Sequence, residues 1–233
     1  MNDSIEDERL TLASVAYLQL RDEIIRAELP PGTKLNMRVL CDRFGVSLSP
    51  MREALSRLAS DGLVTQSAQR GFAVAHLTLD GLDDLIRARC WVNELGLRKS
   101  IAHGDSAWEE NLVLALHRMN RIPRVVDDPL ERTAAWSKAH MEFHRALVCA
   151  SGSGWITRFC DELFEAAERY RYFARRANRE QSIGADEHEM ITSAAISRDA
   201  DRAVALLNAH FQKTADRVRQ VLAANTTTEE TAP

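Results

Sequence analysis

Gly45-Val46-Ser47-Leu48-Ser49-Pro50-Met51-Arg52-Glu53-Ala54-Leu55-Ser56-Arg57-Leu58 is a glycine turn running into the opening turns of a helix. Pro50 suits a first helical turn, where its missing N–H has no partner to lose, and Ser47 or Ser49 can cap the end. Met51, Ala54, Leu55 and Leu58 fall at i, i+3, i+4 and i+7, the spacing of one buried face, which turns Arg52 and Ser56 outward. Upstream, Asn36 is positioned to cap a short helix carrying Val39, Leu40 and Phe44, and Gly45 suits the left-handed position that ends it. Before that, Leu12, Ala16, Leu20 and Ile24 recur at steps of four, an apolar stripe on a helix that ends near Glu28 at Leu29-Pro30-Pro31-Gly32. Downstream, Asp61-Gly62 stops the third helix. Two β-prone runs, Leu63 to Gln66 and Phe72 to Ala75, then flank Ser67-Ala68-Gln69-Arg70-Gly71 as a hairpin wing.

Beyond Leu77 there is no strand alternation, and six helices are expected: Leu82 to His103, Trp108 to Arg121, Glu131 to Ala150, Trp155 to Arg176, Ser182 to Ser197 and Ala200 to Ala224. The expected architecture is mainly α, an N-terminal winged helix-turn-helix followed by an all-α antiparallel helical bundle. Its divisions are a disordered tip over 1–11, the winged helix-turn-helix over 12–77, the helical bundle over 78–224 and a disordered Thr- and Glu-rich tail over 225–233. At 45% hydrophobic and 27% charged residues the composition is that of a soluble globular protein. The acidic start, Met1 to Glu8, is neither a signal nor a basic transit peptide, and a cytoplasmic location is expected. Cys41, Cys90, Cys149 and Cys160 form no Cys-x-x-Cys pair, which argues against a thiolate zinc site and a disulfide framework.

The formal net charge of −4 is unusual for a nucleic-acid binder until it is divided. From Arg9 to Thr78 nine lysines and arginines stand against six acidic residues, whereas from Leu79 onward 21 stand against 24. The basic excess is N-terminal, where phosphates would be met. A short helix, a glycine turn and a second helix opening on serines and an arginine fit a helix-turn-helix, whose second helix lies in the major groove. An arginine one turn in reaches the paired acceptors of guanine. The bland alternative is a helical hairpin packed on a metabolic enzyme, with Arg52 a solvated surface charge.

The run Pro31-Gly32, Leu40, Gly45 to Leu55, Leu58, Asp61-Gly62-Leu63-Val64, Arg70-Gly71 and Val74 resembles the DNA-binding domain of the GntR family, over about Leu12 to Ala75. The resemblance implies a homodimer on a palindromic double-stranded operator. It implies that Arg38, Ser47, Ser49 and Arg52 contact phosphates and base edges, with Gln69, Arg70 and Gly71 at the minor groove. Leu48 departs from the family's usual arginine, which points to a different operator or an apolar contact with a thymine methyl.

Among seven histidines, His140 and His144 stand one turn apart on one helix face, and His188 and His210 sit within two later helices. Imidazoles converging from several helices are one way to hold a transition metal; surface or hydrogen-bonded core histidines are the commoner arrangement. The segment from Leu79 to Val221 resembles the FCD ligand-binding domain of the FadR-like branch of these regulators. That resemblance implies a metal held by histidines at positions 144, 188 and 210, and puts His140 where an aspartate is usual. With His140 included all four donors are nitrogen, so Zn²⁺ or Ni²⁺ is expected. Arg89 matches a family arginine facing the effector pocket, where a guanidinium and the metal would hold a carboxylate between them; without the family it reads equally as a solvated helix arginine. The effector implied is a small carboxylate, and the stretch from Ala102 through Trp155 resembles members of this branch that sense short dicarboxylates such as glutarate; the regulator implied is a repressor. The four tryptophans and Arg169-Tyr170-Arg171-Tyr172-Phe173 are assigned to packing and exposed edges.

A metal-dependent hydrolase using the four histidines is the rival from another class. His140-Met141-Glu142-Phe143-His144 lacks the zincin order, in which the glutamate directly follows the first histidine, and no nucleophile elbow, Walker loop or dinucleotide fingerprint occurs. No catalytic residue is assigned.

Overall fold

The computed structural model describes residues 11–67, 71–122, 129–177 and 185–229, and the chain divides into two compact units between Leu77 and Thr78. The first unit runs α1 (Leu12–Ile25), β1 (Lys34–Leu35), α2 (Met37–Phe44), α3 (Leu48–Ser60), β2 (Val64–Ser67) and β3 (Gly71–Val74). Asn36 caps α2, its side-chain oxygen accepting from the amides of Arg38 and Val39, and Gly45 ends it at φ 64°, a conformation that costs a glycine little. Leu20, Met51, Ala54, Leu55 and Leu58 are fully buried and pack with Ile24, Val64, Phe72 and Val74. Each large side chain contributes about 1.5–3 kcal/mol of apolar burial, so the face read from the α3 periodicity is the floor of this unit.

Three details differ from the sequence reading. The helix α1 stops at Ile25, before Glu28, because Ala27 turns left-handed at φ 54° and the amides of Glu28 and Leu29 close back onto the Glu23 carbonyl. Val39 is 59% exposed and not part of the core, which α2 supplies through Leu40 and Cys41. The wing is three-stranded and antiparallel, in the order β1-β3-β2, with Leu35 opposite Phe72 and Val64 opposite Val74. The two-residue β1 adds the buried Leu35 to the core.

The second unit is all helical among the described residues: α4 (Leu79–His103), α5 (Ser106–Asn120), α6 (Pro129–Val148), α7 (Gly154–Ala177), α8 (Ala185–Ile196) and α9 (Ala200–Glu229). Thr78 and Asp105 cap α4 and α5 by accepting from the amides of Gly81 and Trp108. Gly96 lets α4 approach closely, since a Cβ there would meet Val148 of α6 and Ile156 of α7 at 3.0 Å. Leu97, Leu112, Phe143, Leu147, Ile191, Leu207 and Phe211 form one continuous core. Helix α9 continues five residues beyond Ala224, to Glu229, where the sequence reading has a disordered tail. Among the described residues no helix is long and apolar enough to cross a membrane.

Candidate nucleic-acid interface and metal centre

Helix α3 begins at Leu48 with Ser47 in the capping position, and the Ser47 hydroxyl makes no capping hydrogen bond. Arg38, Ser47, Leu48, Ser49, Arg52 and Gly71 are all exposed. Arg38, Ser47, Leu48 and Ser49 line one groove together with Cys41 and Asp42, so the turn between α2 and α3 presents hydroxyls, a guanidinium and a bare leucine side by side. The charge of Arg52 is projected outward by the same periodicity that buries Met51 and Leu55. Gln69 and Arg70, also read as DNA-facing, lie outside the described residues.

In the helical unit α6 contributes His140 and His144, α8 contributes His188 and α9 contributes His210. All four are buried, and one ring nitrogen from each lies within 4.8 Å of the others. The Nε2 of His140 is 2.9 Å from Nε2 of His144 and 3.1 Å from Nε2 of His188. His210 points Nδ1 at Oε2 of Glu187, 2.8 Å away, which leaves its other nitrogen for the cluster; Glu187 also pairs with Lys213. A carboxylate behind a histidine in this way fixes its tautomer and strengthens it as a ligand. Burial, followed by the charge of Arg171, holds His140 well below the usual histidine range, and burial with His210 does the same for His144. Burial lowers His188 to about 3 and His210 to about 4. The imidazoles are therefore neutral at pH 7, the form in which a metal can be bound, and the donor set fits a divalent transition metal.

Two buried guanidinium groups adjoin the cluster. Arg89, 2% exposed on α4, lies over the rings of Phe211 and Phe164, and its Nε has no hydrogen-bond partner among the described residues. Burial lowers it to about 10, so it remains a cation at neutral pH. Arg171, on α7, pairs with Glu168 and places Nη2 3.0 Å from Nδ1 of His140. Trp136 stacks on His140, their ring centres 4.3 Å apart, within cation–π reach of Arg171 and Arg175. Trp136 and Arg171 therefore contact the histidine cluster, where the sequence reading places them among packing and exposed edges. The signal for Trp136 was the spacing that places it one turn before His140; Arg171 carried none that sets it apart from Arg169 and Arg175. Glu142 is exposed, on the far side of α6 from the histidines.

A winged helix-turn-helix followed by a helical unit with a buried, cation-lined histidine cluster defines a DNA-binding regulator with a ligand-binding domain. The chain belongs to the GntR family: the profile of the bacterial regulatory proteins, gntR family, matches residues 12–74, and that of the FCD domain matches residues 84–213. It is 35% identical over 211 residues to the uncharacterized HTH-type transcriptional regulator BphR of Paraburkholderia xenovorans, covering 90% of this chain and 86% of that protein. It is 30% identical over 221 residues to the HTH-type transcriptional repressor GlaR of Escherichia coli, covering 93% and 100%. Among solved structures, a GntR regulator of Rhodococcus sp. RHA1 shares the fold at a TM-score of 0.69 and 24% identity, over 91% of this chain and 98% of that one. The protein is thus a DNA-binding transcriptional regulator and not an enzyme, and its FCD domain implies a small-molecule effector. FCD domains hold a metal in some members, and the four histidines could hold one here.

Proposed function

We propose that the protein is a cytoplasmic, homodimeric repressor whose hold on a palindromic operator is set by a small carboxylate bound in the helical unit, beside a divalent metal. The observation that carries this reading is the buried histidine cluster adjoining a buried arginine with no carboxylate partner among the described residues. A buried cation left without a counter-charge is costly, and an anionic ligand supplies the charge it lacks. Zn²⁺ or Ni²⁺ suits neutral nitrogen donors better than Mg²⁺ does. His144, His188 and His210 are the candidate ligands, with His140 beside them where an aspartate is usual, and Arg89 would hold the carboxylate with a guanidinium fork.

On the DNA side Arg38, Ser47, Leu48, Ser49, Arg52, Gln69, Arg70 and Gly71 are the proposed contacts. Repression is proposed because relatives carry that name, GlaR and the Escherichia coli RspR among them. The effector shifts the population between two arrangements of the regulator, which requires that it bind them with different affinity. Elemental analysis of the purified protein, followed by thermal shift against mono- and dicarboxylates before and after chelation, tests the reading. A stoichiometric metal and a carboxylate stabilisation that chelation abolishes are expected. An absent metal, or stabilisation indifferent to chelation, refutes it.

A further inference from the structure

A guanidinium has only N–H groups to offer, so across the 3.0 Å between Arg171 Nη2 and His140 Nδ1 the arginine donates and the imidazole accepts. A neutral imidazole that accepts at Nδ1 carries its proton at Nε2, the nitrogen that faces the cluster. The neighbouring separations agree. His140 Nε2 lies 2.9 Å from His144 Nε2 and 3.1 Å from His188 Nε2, hydrogen-bond distances. If His144 accepts at Nε2 its own proton is at Nδ1, the buried atom that has no hydrogen-bond partner among the described residues. The four histidines are therefore not equivalent: three can turn a lone pair inward, and His140 turns an N–H.

We propose that His140 is a hydrogen-bond donor in the effector site and not a metal ligand, fixed in that tautomer by Arg171, and that a metal is held by His144, His188 and His210 alone. The assignment rests on the metal reading above and deepens it. Neutral imidazoles leave the whole charge of a divalent ion uncompensated, beside the cation of Arg89, which has no carboxylate partner among the described residues. The effector chemistry this suits is a carboxylate, whose oxygens accept from His140 Nε2–H. Arg171 acts through His140 and is a positioning residue; Glu168 pairs with Arg171, and Trp136 stacks on His140.

Zinc-edge X-ray absorption on the Zn²⁺-loaded full chain counts the imidazoles directly, and competition with a chromophoric chelator gives the affinity. Three imidazoles are expected in the wild type and also in His140→Gln, with a loss of Zn²⁺ affinity of about tenfold or less. In Arg171→Met the count is expected to rise to four, because Nδ1 can then carry the proton and Nε2 can ligate, a change that a merely structural role for Arg171 would not produce. Four imidazoles in the wild type overturn the assignment while leaving the metal reading intact, and this measurement needs no variant to fold. Three in Arg171→Met overturn the role given to Arg171. If the wild type binds no Zn²⁺, the metal reading fails and the assignment with it.

Discussion

The guanidinium of Arg89 lies 4.0 Å from the centre of the Phe211 ring, a buried cation resting on an aromatic face. A cation–π contact of this kind contributes about 2 kcal/mol when desolvated, less than the several kcal/mol needed to take an ion out of water. Residue 89 is thus retained at a net cost to the free protein, the pattern of a group kept for its ligand.

Replacing Arg89 by methionine is expected to raise the melting temperature of the metal-free, effector-free protein by roughly 2–8 °C, since an apolar side chain of similar length removes the burial cost. The same change abolishes stabilisation by carboxylates. Differential scanning fluorimetry reads both, and a variant that still responds to carboxylates would remove Arg89 from the site.

On the DNA side, Arg52→Ala is expected to weaken operator binding by about 1–3 kcal/mol, tenfold or more, and to relax sequence preference at one base position. Fluorescence anisotropy with operator variants is the measurement. Unchanged affinity would mean that α3 does not read bases through this residue. Leu48→Arg is expected to change which operator is preferred, because it restores a guanine-binding fork where only methyl contact is available.

The parts of the fold visible in the sequence are those whose cause is local. Met51, Ala54, Leu55 and Leu58 announce their shared face by spacing alone, and Gly45 announces the end of α2 by its freedom at positive φ. Strand β1 was not legible because two residues carry no period; Lys34 and Leu35 become a strand only by pairing with Ala73 and Phe72. In the site, the histidine pair on α6 was legible from its i, i+4 spacing and Arg89 from resemblance. Arg171 was not: it reaches His140 across the packing of α6 on α7, and nothing near it in the sequence distinguishes it from Arg169 or Arg175.

Glu187→Gln is expected to lower Zn²⁺ affinity by about 10- to 100-fold, because the carboxylate that orients His210 and strengthens it as a ligand is neutralised. Lys213→Met, which touches only the far oxygen of Glu187, has a smaller effect. Equal affinities for Glu187→Gln and the wild type would show that His210 does not depend on this pair.

Acid should destabilise the chelated protein. His188 and His210 are lowered to about 3 and about 4, below the ordinary value of 6.5, so the unfolded chain takes up protons first. Their contribution is fully present above pH 6.5 and is lost as pH falls toward 4, by about 1–2 kcal/mol per histidine at pH 5. Urea melts of the helical unit's signal between pH 7 and pH 5 test this; a midpoint that does not fall would show that the histidines are not buried as neutral groups.

Gly45→Ala isolates a backbone effect, because a Cβ there meets nothing within 4 Å while φ stays at 64°. A loss of about 1–2 kcal/mol is expected, from the left-handed conformation alone. A circular-dichroism melt of the variant measures it, and no loss would mean that α2 ends by another conformation.

Among the described residues no carboxylate stands beside Arg89, and on the proposed reading this bears on how the molecule is handled. Citrate, acetate and the other organic acids used routinely as buffers have the chemistry that the proposed site would recruit, so a preparation made in them would carry an occupant before any effector is added. Bench conditions then set the baseline from which every measured response is counted, and a regulator dialysed into an amine buffer would behave as a different reagent from the same chain kept in citrate.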